Sequence, residues 1–343
     1  MRIVSLVALL QLSAVAVNGF TSSPAASSAL FGSRRKAASP LTSSSTLAIS
    51  TTAGDESDII SKAEQKKLAR KELVKQEGGR FAFDTKYGAL NPFAIYYGLV
   101  SISLGIPWFF ALMFCKFLYF VTRGKIDKQR RLPVFLSHVW GTTLMRLTGC
   151  YPKMINREIL KDYFKKEDCC MFVANHCSWD DIPFLGAAVG WRNYKIVAKK
   201  ELEKVPILGS AIRVAGNIEV DRTNRRSQLA TLKKGIKYLK EGVNLCTFAE
   251  GTRSRTGRLM KFKDGAFKMA HKAGVPVIPM AIVGAQKAHP VHWMFPYKPT
   301  GKSTSVVVGE PVESKDITEA ELSAKVREAL IENLPDDQKP LPK

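Results

Sequence analysis

A histidine and an aspartate five residues apart, His176 and Asp181 in Asn175-His176-Cys177-Ser178-Trp179-Asp180-Asp181, are the pair in this sequence best suited to proton transfer. An imidazole can take a proton from a hydroxyl, while a carboxylate on its other nitrogen fixes the tautomer and stabilises the imidazolium that forms. The spacing works if a strand ends near Asn175 and the chain then turns into a helix. The run before it, Cys169-Cys170-Met171-Phe172-Val173-Ala174, reads as a buried strand, and α/β proteins build sites beyond the carboxyl ends of their strands. A second polar cluster, Glu250-Gly251-Thr252-Arg253, follows an apolar run ending at Phe248 and Ala249. Arg253 offers the bidentate fork suited to a phosphate, Gly251 permits close backbone approach, Thr252 brings a hydroxyl, and Glu250 is a carboxylate able to meet a hydroxyl or anchor Arg253. Arg222, after Val220-Asp221, is a further cation at a strand end, and Lys263 stands among Lys261-Phe262-Lys263-Asp264-Gly265.

The elements around these residues alternate short apolar runs with amphipathic stretches from about residue 130 onward, which predicts an α/β domain. Leu229, Leu232, Ile236 and Leu239 recur at helical spacing with lysines between them, predicting a core-facing helix with a basic outer side. Ser305 to Gly309 reads as a late strand, and Leu322, Val326, Leu330 and Leu334 mark a terminal helix. Upstream, Tyr87 to Cys115 runs 29 residues without a formal charge, more than the roughly 20 needed to span a bilayer. Gly105 and Pro107 interrupt it, so a single straight helix competes with a hairpin dipping into one leaflet. Residues 87–122 are therefore expected to be membrane-associated, behind a charged, mostly solvated lead-in over 55–86.

The first 54 residues contain no Asp or Glu and are dense in Ser, Thr and Ala. Ile3 to Val17 is an apolar run behind Arg2, too short to span, and residues 1–19 read as a signal peptide. Residues 20–54, opening on Phe20 and carrying Arg34-Arg35-Lys36, have transit-peptide composition. This two-part address resembles the bipartite presequences of algae with secondary plastids, which implies a plastid membrane; a plain secretory signal would instead leave the protein at the endoplasmic reticulum membrane.

The whole chain has 343 residues, 52 Lys and Arg against 30 Asp and Glu, and a net charge of +22. Partners with negative charge are expected, but no interleaved Arg-aromatic strand, zinc finger or basic recognition helix points to nucleic acid. Six cysteines without CxxC spacing read as reduced thiols, and five histidines without HExxH or HxH clustering predict no metal site.

Four blocks stand in order: Asn175 to Asp181; Lys200 to Gly209 leading through Ala215 to Arg222; Phe248 to Ser254; and Val275 to Ala281. Over roughly residues 130 to 310 the chain resembles the glycerolipid acyltransferase superfamily, most of all the 1-acyl-sn-glycerol-3-phosphate acyltransferases. The resemblance implies a mixed-sheet α/β acyltransferase domain over 130–343 behind a membrane-anchoring helix or helical hairpin. It also implies acyl transfer, without a covalent acyl-enzyme, onto the sn-2 hydroxyl of lysophosphatidic acid to give phosphatidic acid. His176 would be the general base oriented by Asp181, and Arg222, Glu250, Gly251, Thr252 and Arg253 would hold the acceptor. Acyl carrier protein or coenzyme A would carry the acyl group as co-substrate, membrane lipid would surround the enzyme, and no cofactor or metal would be required. Related blocks also serve glycerol 3-phosphate and other lysophospholipids; a non-catalytic basic membrane adaptor is disfavoured by the intact His176 and Asp181. Backbone N–H groups at the helix start after Asn175 are the expected oxyanion donors. Ala249 departs from the family's usual proline, and a nucleophilic Cys177 is not expected.

Overall fold

The computed structural model describes residues 53–166, 169–204 and 207–341, so both presequence expectations lie outside it. In chain order the elements are α1 (Ala53–Gly78), β1 (Phe83–Thr85), β2 (Gly88–Leu90), α2 (Pro92–Val121), α3 (Arg131–Leu147), β3 (Lys153–Ile155), α4 (Glu158–Lys166), β4 (Met171–Ala174) and α5 (Asp181–Val189). There follow β5 (Tyr194–Lys199), a 3-10 turn (Lys200–Lys204), α6 (Leu208–Val214), β6 (Ile218–Val220), α7 (Arg225–Lys240) and β7 (Asn244–Phe248). The chain ends with α8 (Gly265–Ala273), β8 (Val277–Val283), α9 (Ala285–Ala288), β9 (Ser305–Val308) and α10 (Glu319–Glu332).

Seven strands form one sheet in the order β3-β9-β8-β4-β7-β5-β6. From β8 to β6 all neighbours run parallel, while β9 is antiparallel to β8 and parallel to β3, so the sheet is mixed, as expected. Strand β4 is central, and both its faces are covered. Met171 and Val173 point into one core layer with Leu239 of α7, Phe267 of α8 and Val326 of α10. Phe172 and Ala174 point into the other, with Leu144 and Met145 of α3 and Phe184 of α5. Burial on two sides explains why β4 is apolar throughout rather than alternating. On α7, Leu239 is buried but Leu229 is half exposed, so the expected core face is narrower at its first turn.

The long apolar stretch is a single helix through Pro107, not a hairpin within itself. Asn91 caps its start by accepting the Ala94 N–H, and Pro92 occupies the first turn, where no donor is missed. It pairs instead with α3: Trp108 stacks on Trp140 with centroids 4.8 Å apart, and the Tyr96 hydroxyl donates to the Leu147 carbonyl at the far end of α3. Its buried residues, Ala94, Tyr97, Gly98, Gly105, Leu112, Cys115 and Tyr119, make one stripe along the whole helix. Phe295 lies over Gly98 near one end, and Leu112, Cys115 and Tyr119 pack on Ala211 and Val214 of α6 near the other. Leu99, Ile106, Phe110, Phe114, Phe117 and Phe120 are left exposed. Among the described residues this is the one helix long and apolar enough to cross a membrane.

Helix α1 is exposed over most of its described side chains, except at Val74 and, in part, at Glu77 near its end. Val74 enters a small separate core with Ala82, Ala89, Ala94, Trp293 and Tyr297.

If α2 belongs to the domain along its length, Leu112→Ala will cost about 2–5 kcal/mol of stability by leaving a hole against α6. Phe114→Ala, on the exposed face, will change it by less than about 0.5 kcal/mol. Thermal unfolding of both variants in one detergent checks the difference.

Candidate active site

The site forms where β4 and β7, hydrogen-bonded neighbours in parallel register, end side by side at Ala174 and Phe248. After β4 the chain turns through Asn175 to Asp180 into α5. Asn175 is buried and ties the turn to β8, accepting the Ile282 N–H at 2.7 Å and donating to the Ile282 carbonyl at 2.9 Å. Asp181, at the first residue of α5, is fully buried. Its Oδ2 accepts three N–H groups: His176 Nδ1 at 2.8 Å, the Cys177 amide at 2.6 Å and the Ser178 amide at 2.8 Å. The aspartate thereby shapes the turn and sets the tautomer together. With the proton on Nδ1, the His176 lone pair resides on Nε2. The ring is stacked on Phe248, centroids 3.9 Å apart and planes within 13°.

The β7 loop holds the same histidine by its backbone. Glu250 Oε1 accepts the His176 amide at 2.7 Å, Oε2 accepts the Met260 amide at 2.8 Å, and the Ser254 amide donates to the His176 carbonyl at 2.7 Å. Among the contacts of Glu250, the backbone amides of His176 and Met260 stand where the sequence suggested an acceptor hydroxyl or Arg253. Glu250 is buried with both oxygens committed to backbone donors, where it braces the general-base candidate. Burial pushes its pKa up to about 7, against the opposing pull of those two amides.

Gly251 lies in the left-handed region, φ +71°, and a Cβ there would come within 3.3 Å of Lys263 Cγ, so Gly251 makes the turn and gives room to the Lys263 stem. Thr252 is exposed. The Arg253 guanidinium lies 4.9 Å from the Trp179 ring centroid, in the favourable field of Asp181. Arg222 is not drawn into this cluster. It follows β6, three strand spacings or about 14 Å from β4 along the same sheet edge, facing Glu201.

One expectation changes and another is met. The amides of His176, Cys177 and Ser178 are turned inward onto Glu250 and Asp181, so they are not the oxyanion donors expected at this helix start. Cys177 is buried beside Asp181, and burial and the adjacent negative charge hold its thiol protonated, which removes it as a nucleophile. Phe248 and Asn175 were missed as site-forming residues. The signal for Phe248 was its place as the last strand residue before the Glu250 cluster; nothing local links Asn175 to Ile282.

Native Glu250 retains a proton that the unfolded chain has already released, from the ordinary glutamate range up to about pH 7. Its contribution to stability is thus greatest below that range and is lost as pH rises through about 7. Glu250→Gln will flatten this part of the stability profile, measured by denaturant unfolding at a series of pH values, while lowering stability throughout because an amide cannot accept both backbone N–H groups.

A family model described as Acyltransferase matches residues 156–283, which contain both loops. The chain is 40% identical over 163 residues to a chloroplastic 1-acyl-sn-glycerol-3-phosphate acyltransferase of Brassica napus, covering 47% of this chain and 45% of that protein. It thus spans less than half the length of this relative, and likewise of a chloroplastic one from Arabidopsis thaliana. A 1-acyl-sn-glycerol-3-phosphate acyltransferase of Limnanthes douglasii is 30% identical over 220 residues, 62% of this chain and 73% of its own. The crystal structure of the 1-acyl-sn-glycerophosphate acyltransferase PlsC from Thermotoga maritima superimposes with a TM-score of 0.56 at 27% identity, over 70% of this chain and 94% of the other. With fold, sequence blocks and extent of match in agreement, the chain belongs to the 1-acyl-sn-glycerol-3-phosphate acyltransferase family.

Proposed function

We propose that the protein transfers a fatty acyl group from a thioester to the sn-2 hydroxyl of 1-acyl-sn-glycerol 3-phosphate, forming phosphatidic acid. The observation that carries this reading is the His176 Nδ1 to Asp181 bond of 2.8 Å at the end of β4, which commits the other ring nitrogen to act as base. His176 Nε2 takes the hydroxyl proton as the oxygen attacks the thioester carbonyl. The new C–O ester bond forms, the C–S bond breaks, and the imidazolium returns the proton to the leaving thiolate. Asp181 stays ionised and stabilises the imidazolium between these steps. Stacking on Phe248 restrains the ring's rotation, so Asp181 and Phe248 together hold it ready for the hydroxyl.

Arg253 is the phosphate-binding candidate, being beside the catalytic pair and carrying a fork that matches phosphate oxygens. Arg222 reads the more distant part of the acceptor or the phosphates of the acyl carrier. Acyl carrier protein and coenzyme A are both acidic enough to suit this basic chain, and chloroplastic relatives support a plastid membrane as the place of work. The exposed apolar face of α2 meets lipid. Because its opposite stripe is engaged by the α/β domain from Ala94 to Tyr119, we favour attachment to one leaflet over crossing.

His176→Ala will lower turnover by about two to four orders of magnitude with the fold retained. Arg253→Ala will weaken use of lysophosphatidic acid by roughly tenfold to a hundredfold, with Arg253→Lys recovering only part. Radiolabelled acyl transfer to lysophosphatidic acid and to an uncharged acceptor analogue checks both; near-normal turnover in folded His176→Ala would overturn the mechanism.

A further inference from the structure

The turn that carries His176 is held from a second side by residues outside the four blocks. Asp180, immediately before Asp181, is buried, and its Oδ2 finds no well-aligned hydrogen bond; what faces it is Nδ1 of buried His289 at 3.3 Å. The other ring nitrogen of His289 is 3.3 Å from the Trp293 carbonyl, which only accepts, so Nε2 carries a proton. Nδ1 of His289 and Oδ2 of Asp180 thus face one another in a buried imidazole–carboxylate contact, neither having any other hydrogen-bond partner among the described residues. Without His289, Asp180 would be a second buried carboxylate beside Asp181 with no polar ring facing it. Ser178 Oγ donates to the His289 carbonyl at 3.2 Å, so position 289 grips the turn through both side chain and backbone.

His289 begins a strap, residues 289–297, whose middle is fixed by the N-terminal helix α1. Trp293 is buried, and its indole N–H donates to Glu77 Oε2 at 2.7 Å; His292 Nε2 meets the same oxygen at 2.6 Å. Ala89 of β2 bridges to Trp293, and Asn91 donates to the Tyr297 carbonyl at 2.8 Å. Arg70 of α1 pairs with Asp84 of β1, tying helix and hairpin together. A continuous line of contacts thus runs from Glu77 through Trp293 and His289 to Asp180, one residue from the catalytic aspartate and about 100 residues distant in sequence from where it starts.

We propose that Glu77 and His289 are positioning residues for the transfer reaction: the strap clamps the turn bearing His176 and Asp181, and α1 holds the strap. This rests on the acyl-transfer reading above for its kinetic consequence, but not for its structural one. Neither residue contacts the His176 ring, so the effect is on the geometry of the base and not on acceptor affinity.

The test uses the full chain in mixed micelles with lysophosphatidic acid and an acyl thioester. Glu77→Ala and His289→Gln are each expected to lower kcat about tenfold with KM for lysophosphatidic acid changed less than about twofold. Glu77→Gln, which keeps an acceptor for the Trp293 N–H, is expected to recover most of the loss. Because both residues act through one strap, the double variant should lose less than the product of the single losses. Hydrogen exchange in the peptide covering 176–181 should quicken in Glu77→Ala without any substrate present. Unchanged kcat, a loss appearing only in KM, or unchanged exchange in folded Glu77→Ala would overturn the proposal. Should Glu77→Ala not fold, His289→Gln carries the kcat, KM and exchange comparisons, with Glu77→Gln expected to stay near the unaltered chain; unchanged kcat and exchange in folded His289→Gln would then overturn the proposal. If the unaltered chain does not acylate lysophosphatidic acid, the reaction assignment falls and the exchange measurement alone decides the clamp.

Discussion

One buried carboxylate oxygen organises the centre of this molecule. Asp181 Oδ2 receives the His176 ring and two successive backbone amides, so the same three bonds make the turn, begin helix α5 and choose which imidazole nitrogen keeps a lone pair. Such an arrangement is stable as an anion because charge-assisted donors replace the water it has lost. It requires β4 to end in a fixed place, and that place is set by parallel pairing to β7 and β8 on either side. Sheet register and acid–base chemistry are in this sense a single constraint.

What the sequence disclosed follows from the range of the interactions involved. The His176 and Asp181 pairing was legible because both residues lie within one local turn, and the strand before them announced itself as an apolar run. The long helix was legible by composition, but its continuity through Pro107 was not: packing against Trp140 and α6 sustains it where the local residues suggest a break. Glu250 stands out in the sequence as a carboxylate after a strand, but only the fold shows that the His176 and Met260 amides converge on it. Asn175 with Ile282, and Glu77 with Trp293, join residues separated by 107 and 216 positions, beyond the reach of any periodicity.

Helices on the two faces of the sheet differ in the side chains they expose. Helices α2 and α3 lie over the face that holds Phe172, with exposed aromatics outward. On the other face α7 carries Arg225, Arg226, Lys233, Lys234, Lys237 and Lys240 and no acidic residue. Two arginines in the first turn oppose the helix dipole, so this distribution was not shaped by helix stability alone. The strand ends that lead to His176 and Arg253 lie at the carboxyl edge of the sheet between these helix layers.

The full-length engagement of α2 has a consequence for how a lipid reaches that edge. On the proposed attachment to one leaflet, a thirty-residue helix bound to its domain along one stripe would work as a float and not as a rivet, keeping the protein at the level of one monolayer. An acceptor with its tail in that monolayer would then arrive by sliding sideways in two dimensions, its supply governed by its mole fraction among neighbouring lipids more than by its concentration in the surrounding water.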